Sequence, residues 1–398
     1  FGSRGEGGGA SPGRWQSAHG GESVALSGCT GAGTMTRILE TLRKAGVQNF
    51  EEARSLFEAP PYRLLVAERG PLYALRYHRT ESDFRSPMVR QARGIVFEKG
   101  TNRIVSWAFD KFFEYGEDAP SYRDRPNLRR SVADPHARYE RKYDGVLIKV
   151  VRLPTGALLV STNGRIDAGE APLGAPGYGA SAPDGDLGST EAAGIVERRR
   201  KSLREAFEEL GGLDLPYEEG LCYAFEMLHP EVPTVAPAPD DAPTLVHLVT
   251  RRLGGDFCEL PLESRFHIGC EGSGVRPPEI LAFGSFGACR DAARTLPWDD
   301  EGFVVQDGAG IRTKVKSEAY KALQRLLAGD SEVEDEDALA VALTLHSAKA
   351  PLPAGPSALV IAWRRRAEAL AESCLARVAA ARSTVQPGRS ARGAQASL

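Results

Sequence analysis

Glu140-Arg141-Lys142-Tyr143-Asp144-Gly145-Val146-Leu147-Ile148 places a lysine where a loop enters an apolar strand, followed within three positions by an acid and a glycine. Gly145 carries no side chain, so a ligand can approach the backbone there. A lysine amine attacks phosphorus only when neutral. Its pKa must therefore fall, through neighbouring cations or through desolvation. Much further along, Glu301-Gly302-Phe303-Val304-Val305 precedes Lys314-Val315-Lys316. Lys314 and Lys316 lie two apart on a predicted strand, so both ammonium groups point to one face. Such a pair suits a triphosphate and would depress the pKa of a third lysine. Glu301 suits Mg²⁺, which binds through one or two carboxylates together with phosphates. Taken alone, K-x-D-G describes a surface lysine at the start of a strand equally well. It is the ordered combination with E-G-Φ-V-V and K-x-K that narrows the chemistry.

The surrounding pattern is strand-rich. Pro71–His78 alternates like a strand, and Gly94–Phe97 and Ile104–Phe109 flank a Gly-Thr-Asn turn at 100–102. Tyr143–Leu153 and Ala157–Thr162 flank Pro154-Thr155-Gly156 in the same way. Further strands are predicted at Leu221–Leu228 and Leu245–Leu253, and a hairpin joins Gly302–Gln306 to Ile311–Lys316. Helical spacing is read over Thr36–Phe57, Glu191–Leu210, Ser317–Leu327, about Asp337–Ser347 and about Pro356–Ala381. Residues 168–190 form a low-complexity loop. Residues 1–34, rich in Gly and Ser, form a disordered or targeting leader, with Met35 opening the ordered pattern. The chain thus divides into that leader, a catalytic domain over 35–325, a helical domain over 326–385 and a disordered tail over 386–398.

Composition excludes several alternatives. The 398 residues hold no apolar run long enough to span a membrane. The six cysteines are scattered without a C-x-x-C pair, which argues against a disulfide framework and a structural zinc site. His136, His229 and His247 show no ligand spacing. The 50 cations against 53 acids leave a net charge of −3, not the balance of a globally basic nucleic-acid binder. Six of those acids, however, crowd into Asp330–Asp337, a solvated acidic linker, and without it the chain is mildly cationic. Of only ten lysines, Lys142, Lys314 and Lys316 fall in the motifs above, and Lys111 falls in a further one at 109–117.

Three more segments belong to the same order. They are Arg93-Gly94-Ile95-Val96-Phe97-Glu98, Phe109-Asp110-Lys111-Phe112-Phe113-Glu114-Tyr115-Gly116-Glu117, and Phe225-Glu226-Met227-Leu228-His229-Pro230-Glu231. With the lysine motifs they resemble the covalent nucleotidyltransferase superfamily of ATP-dependent ligases and mRNA capping enzymes. Within it, the similarity is greatest to the phage-type RNA ligase 1 family and covers roughly residues 60–325. The resemblance implies an α+β nucleotidyltransferase (ATP-grasp-like DNA/RNA ligase) domain with antiparallel sheets around an ATP cleft, followed by a C-terminal helical domain.

It also implies roles for individual residues. Lys142 is the nucleophile that becomes lysyl-AMP, and Asp144 beside it is structural or metal-facing. Arg93 matches a nucleotide-contacting arginine, its alternative being an exposed strand residue. Tyr77 either contacts ATP or packs the core. Lys111 and Phe113 match residues needed for phosphate binding and site architecture, and if Phe112 and Phe113 lie on a strand only one faces the core. Glu140 reads the adenine amino group or is solvated. Glu226 lies near the ribose, and an acid in so apolar a strand needs a partner. Glu301 is the metal or substrate carboxylate. Lys314 and Lys316 hold the phosphates, and Lys316 offsets charge in the transition state. Tyr320 serves ligation or packs as a core helix residue.

The family's Ser-Lys-Gly segment is absent. Here Ser161-Thr162-Asn163-Gly164-Arg165 puts Asn163 in the lysine's place, with Arg165 as a substitute that is not equivalent. The runs Arg198–Lys201 and Arg364–Arg366 grip RNA backbone or are solvated faces.

The activity implied is ATP- and Mg²⁺-dependent joining of RNA 5′-phosphate and 3′-hydroxyl ends through lysyl-AMP and RNA-adenylate, in RNA or tRNA repair. No G-x-x-x-x-G-K-[ST] loop is present, so end healing falls to a separate kinase or phosphatase. A cytoplasmic or nuclear setting is expected, or an organellar one if the leader is a transit peptide. Two alternatives stand beside this reading. One is a non-catalytic RNA- or nucleotide-binding protein of the same fold, and the other is a GTP-using capping-type nucleotidyltransferase.

Overall fold

The structure is a computed structural model that describes residues 36–117, 136–174, 200–232, 234–236, 242–261, 274–308, 310–321, 324, 372, 373 and 376. Two helices open it, α1 (Arg37–Lys44) and α2 (Phe50–Glu58). Thr36 and Asn49 cap them, each side chain accepting a hydrogen bond from a first-turn N–H. A four-stranded sheet follows in the order β1 (Leu64–Arg69), β2 (Leu72–Tyr77), β3 (Arg93–Glu98) and β4 (Ile104–Ser106), with the short helix α3 (Pro87–Gln91) between β2 and β3. Ile38, Leu42, Phe50, Ala53 and Phe57 pack onto one face of it, against Leu75, Ile95 and Phe97.

Next come β5 (Arg138–Lys142), β6 (Val146–Arg152), β7 (Leu158–Ser161), α4 (Leu203–Glu209), β8 (Leu221–Leu228) and β9 (Thr244–Arg252). The chain continues through β10 (Val275–Arg276), β11 (Ile280–Leu281), α5 (Phe286–Arg294), β12 (Gly302–Gln306) and β13 (Arg312–Lys316). These strands form two further sheets, ordered β10-β9-β8-β6-β7 and β11-β5-β12-β13. Pairing is antiparallel throughout except for the two-residue pairing of β10 with β9. The architecture is therefore mixed α+β with antiparallel sheets. Leu203, Ala206 and Phe207 of α4 cover one face of the five-stranded sheet, and its other face meets the first sheet through Leu159, Ala74, Val96 and Val105. Phe286, Cys289 and Ala293 of α5 cover the third sheet at Phe303, Val305 and Val315.

The hairpins expected from turn residues are present, β3–β4, β6–β7 and β12–β13 with their loops. Two expectations are corrected, and two elements have no counterpart in the sequence reading. Lys142 does not open the strand that follows it but ends β5, and Tyr143, Asp144 and Gly145 carry the chain into β6, in a different sheet. Arg200 and Lys201 precede the Ser202 cap of α4, so the described part of the expected 191–210 helix begins at Leu203. The strand over 71–78 has an unexpected partner, β1, whose Leu-Leu-Val-Ala-Glu-Arg lacks alternation. Helix α5 buries Phe286, Cys289 and Ala293 at i, i+3 and i+7, a short stripe that its small residues leave weak in the sequence. The acidic linker, the arginines at 198, 199 and 364–366, and nearly all of the expected C-terminal helical domain lie outside the described residues. Among the described residues no helix is long and apolar enough to cross a membrane.

One glycine is decisive for the third sheet. Gly302 lies opposite Lys142 on one side and opposite Lys316 on the other, at φ +124°. A Cβ there would sit 2.2 Å from the Val315 carbonyl oxygen. Gly302→Ala is expected to cost more than about 3 kcal/mol, because strain and a backbone clash add. The check is urea unfolding of the two proteins side by side; equal midpoints would refute it.

Candidate active site

The site forms where the third sheet meets the other two, at the ends of β5 and β13 and the start of β12. Lys142 is the last residue of β5, and its Nζ lies 2.6 Å from Glu301 Oε2. Lys316, the last residue of β13, brings its Nζ to 3.1 Å from the other oxygen, Oε1. The sheet register explains the convergence, because the start of β12 runs between the ends of both neighbours. Glu301 is buried, with its side chain 1% exposed, and a buried carboxylate persists only with such partners. Burial pushes its pKa up, but Lys142 and Lys316 outweigh burial and hold it low.

The remaining acids of the site come from the crossover and from β8. Glu226 faces Leu147 across β8–β6, and its Oε1 accepts from the Gly145 N–H at 3.2 Å. Asp144 accepts from the backbone N–H groups of Val235 at 2.8 Å and Ala236 at 3.1 Å. Burial raises the Glu226 carboxyl to about 7; Lys142 opposes the rise, and Glu301 and Asp144 add to it. Burial likewise lifts Asp144 to about 6, with Glu301 adding and Lys142 opposing. Tyr320 is buried beneath the Lys316 ammonium, 5.0 Å from ring centre, and its hydroxyl reaches Asp144. It is thus both a core residue and a site residue.

A second group of cations lines the cleft on aromatic rings. Arg93, on β3, lies 5.1 Å from the centre of the Phe112 ring, and Lys314 lies 5.3 Å from the same centre. The buried NH1 of Arg93 has no hydrogen-bond partner among the described residues, which suits an anion. Residues 109–115 reach the site by adding to β13: Lys314 N–H donates to the Phe113 carbonyl at 2.9 Å, and Tyr115 N–H to the Lys314 carbonyl at 2.8 Å. Lys111 N–H donates to the Arg90 carbonyl at 2.7 Å, tying the segment to α3. Phe112 and Phe113 are not on a strand and both pack, Phe113 against the third sheet and Phe112 beside Phe109.

Three readings of the residues change in the folded chain. The space at Gly145 is taken by protein rather than by a ligand, since a Cβ there would lie 2.5 Å from the Met227 carbonyl oxygen. Among the lysines of the motifs, the one whose pKa is depressed is Lys314, through burial and the charges of Arg93, Lys142, Lys316 and Lys111. Burial also opposes the charge on Lys142, but Glu301 and Glu226 outweigh it and the pKa is raised. Glu140 is buried rather than solvated, and the Arg138 Nε lies 2.7 Å from its Oε1. Tyr77, at the end of β2, is partly buried with its ring on Phe84 and beside Lys111. Among the described residues no three acid, His or Cys side chains converge as a ready-made metal centre.

Lys149 escapes the motif reading. Its Nζ donates to the Gly94 carbonyl from the neighbouring sheet, and the residue is 1% exposed. Gly94 sits at φ +69°, where a Cβ would lie 2.6 Å from the backbone of Asn163. A lysine thus does reach the turn where Asn163 stands, but from β6. The available signal is one cation inside the apolar run Val146–Val151. Burial lowers its pKa to about 8, with Arg93 adding to the fall and Cys222 opposing it.

A family model described as RNA ligase matches residues 91–320, more than half of the chain. The chain belongs to the RNA ligase family. An archaeal ATP-dependent RNA ligase (form 2) is similar at 15% identity with a TM-score of 0.44, over 88% of this chain and 83% of that one. A Naegleria gruberi RNA ligase, a lysine-to-alanine variant with ATP and Mn, is similar at 12% identity with a TM-score of 0.32, over 50% of this chain and 54% of that one. No curated protein matches the sequence.

Two titrations test the electrostatics. Glu226 has a folded pKa of about 7, above its ordinary 4.5, so the folded chain holds the extra proton between those values. Its contribution is present at low pH and lost as pH rises through about 7. Glu226→Gln should therefore raise the thermal midpoint of the ligand-free protein at pH 8 and leave it unchanged at pH 4. For Lys149 the folded pKa lies below the ordinary 10.5, so wild-type stability rises between pH 8 and 10.5 as the unfolded chain holds more protons. Lys149→Met should lack that rise, worth up to about 3 kcal/mol, in urea titrations across this range. Parallel curves for wild type and variant would contradict the assignment.

Proposed function

We propose that the protein is an ATP-dependent RNA ligase that joins RNA 5′-phosphate and 3′-hydroxyl ends through a lysyl-AMP intermediate on Lys142. One observation carries the reading: the Lys142 ammonium at the mouth of the seam, bound to a buried carboxylate that a second lysine holds from behind. The ion pair keeps Lys142 protonated at rest. Glu301 Oε2, 2.6 Å away, is the acceptor within reach when the amine sheds its proton. Nζ then bonds the α-phosphorus of ATP as the bond to pyrophosphate breaks, the electron pair leaving with pyrophosphate. AMP next passes from Lys142 to an oxygen of the RNA 5′-phosphate, and the amine is released. A 3′-hydroxyl displaces AMP from that phosphorus and the phosphodiester forms.

The chain's other residues bind and orient. Arg93, Lys111 and Lys314 are positioned to take the phosphates, and Lys316 balances Glu301 and the charge that builds on phosphorus. Mg²⁺, when bound, neutralises phosphate oxygens and aligns attacking and leaving groups. The donor set fits it as one or two carboxylates plus the nucleotide's own phosphates. Glu301, Glu226 and Asp144 are the candidates, three acids whose charges act on one another. Glu140 is positioned for the base and Glu226 for the ribose. The chemistry calls for RNA with 5′-phosphate and 3′-hydroxyl ends, and RNA repair with ends prepared by a separate kinase or phosphatase is the setting we propose.

Incubation with α-labelled ATP and Mg²⁺ followed by denaturation should leave covalent label on the wild type and none on Lys142→Ala. Absence of label on the wild type, or equal label on both, would sink the proposal. Label from GTP and not ATP would move it to capping-type transfer. The labelled protein should then seal a nicked RNA carrying 5′-phosphate and 3′-hydroxyl ends.

A further inference from the structure

Lys111 differs from the paired lysines of the cleft in what holds it. Lys142 and Lys316 are bound to Glu301, whereas the Lys111 ammonium is met by rings. It lies 5.2 Å from the ring centre of Tyr77, 5.0 Å from that of Phe84 and 5.0 Å from that of Phe113. The rings brace one another edge to face, Tyr77 on Phe84 at 5.0 Å and Phe84 on Phe113 at 6.0 Å. They come from three separate places: the end of β2, the loop between β2 and α3, and the segment that adds to β13. The backbone of Lys111 is pinned as well, by its bond to the Arg90 carbonyl.

The face of an aromatic ring carries partial negative charge and attracts an ammonium group without a full opposing charge. A carboxylate in the same place would pair with the lysine and repel an incoming phosphate. Rings hold the cation and leave its field intact. The cage also adjoins Lys314: Phe113, one of its rings, accepts a hydrogen bond at its carbonyl from the Lys314 N–H at 2.9 Å.

We propose that Tyr77, Phe84 and Phe113 form an aromatic cage that positions the Lys111 ammonium for the polyphosphate of the nucleotide and leaves its full charge to that ligand, with Phe84 as a positioning residue. The inference rests on the nucleotidyl-transfer reading of the site, but its test does not use catalysis. The probe is inorganic tripolyphosphate, titrated calorimetrically into the full chain at low ionic strength, where the electrostatic part is least screened.

Phe84 is replaced in turn by mono-, di- and trifluorophenylalanine, which barely alter size while draining the ring face of negative potential. Binding should weaken stepwise, by about three- to tenfold for the trifluoro form. Phe84→Trp, with a larger and more negative face, should restore or exceed wild-type binding. In Lys111→Met the fluorinated series should be flat. A flat or inverted series in the wild-type background overturns the cage, as does an equal slope in Lys111→Met or a wild type that does not bind tripolyphosphate. An intact series in a protein that never forms lysyl-AMP overturns the ligase reading and leaves the cage standing.

Discussion

A single buried carboxylate organises the cleft. Glu301 is shielded from water and stands between two ammonium groups, one from β5 and one from β13. Neither the charge nor its burial would be stable alone, since removing one partner of a buried ion pair leaves an uncompensated charge. The same arrangement sets the resting chemistry. It keeps Lys142 protonated while it ties the ends of two strands to the start of the strand between them. The absence of a side chain at Gly302 is what allows Glu301 and its strand to lie that close, with the Val315 carbonyl where a Cβ would be.

The cations of the cleft then fall into two kinds by what backs them. Lys142 and Lys316 share the single charge of Glu301. Arg93, Lys111 and Lys314 lie on aromatic rings, with burial and the neighbouring cations holding the Lys314 pKa down. Under the proposed function the second kind would take the ligand's phosphates, and Lys142 of the first kind would be the reacting amine. Crowding of like charges is most costly at Lys314, whose neighbours include four other cations. Under the proposed function, phosphates bound there would lower that cost. Lys149 plays a different part. It is buried within the seam between two sheets and holds the Gly94 carbonyl beside Arg93, where Asn163 packs against the glycine backbone.

Much of this is legible along the chain. Hairpins at 94–109, 143–162 and 302–316 announce themselves through turn residues between alternating or apolar runs, because those signals are local. The spacing of Lys314 and Lys316 places both on one face, and the strand β13 does so. What local pattern does not reveal involves partners far apart in the chain. The motif Lys142-Tyr143-Asp144-Gly145 runs straight into the apolar stretch from Val146, which conceals the change of sheet after Lys142, since periodicity does not register a crossover. Gly145 looks open to a ligand, yet the Met227 carbonyl from β8 fills its place. β1 and α5 lack a clear period and emerge only through packing.

The sequence by itself determined the residue chemistry: a lysine, two acids and a lysine pair in the order of an RNA ligase, and four of ten lysines placed in those motifs. Tertiary structure alone decided the charge state of those lysines. The amine expected to be depressed, Lys142, is raised because Glu301 and Glu226 stand beside it, and the depressed one is Lys314. A pKa depends on burial and on charges within a few ångströms, and those distances exist only once residues as far apart in the chain as Lys142 and Glu301 have been brought together by the sheets.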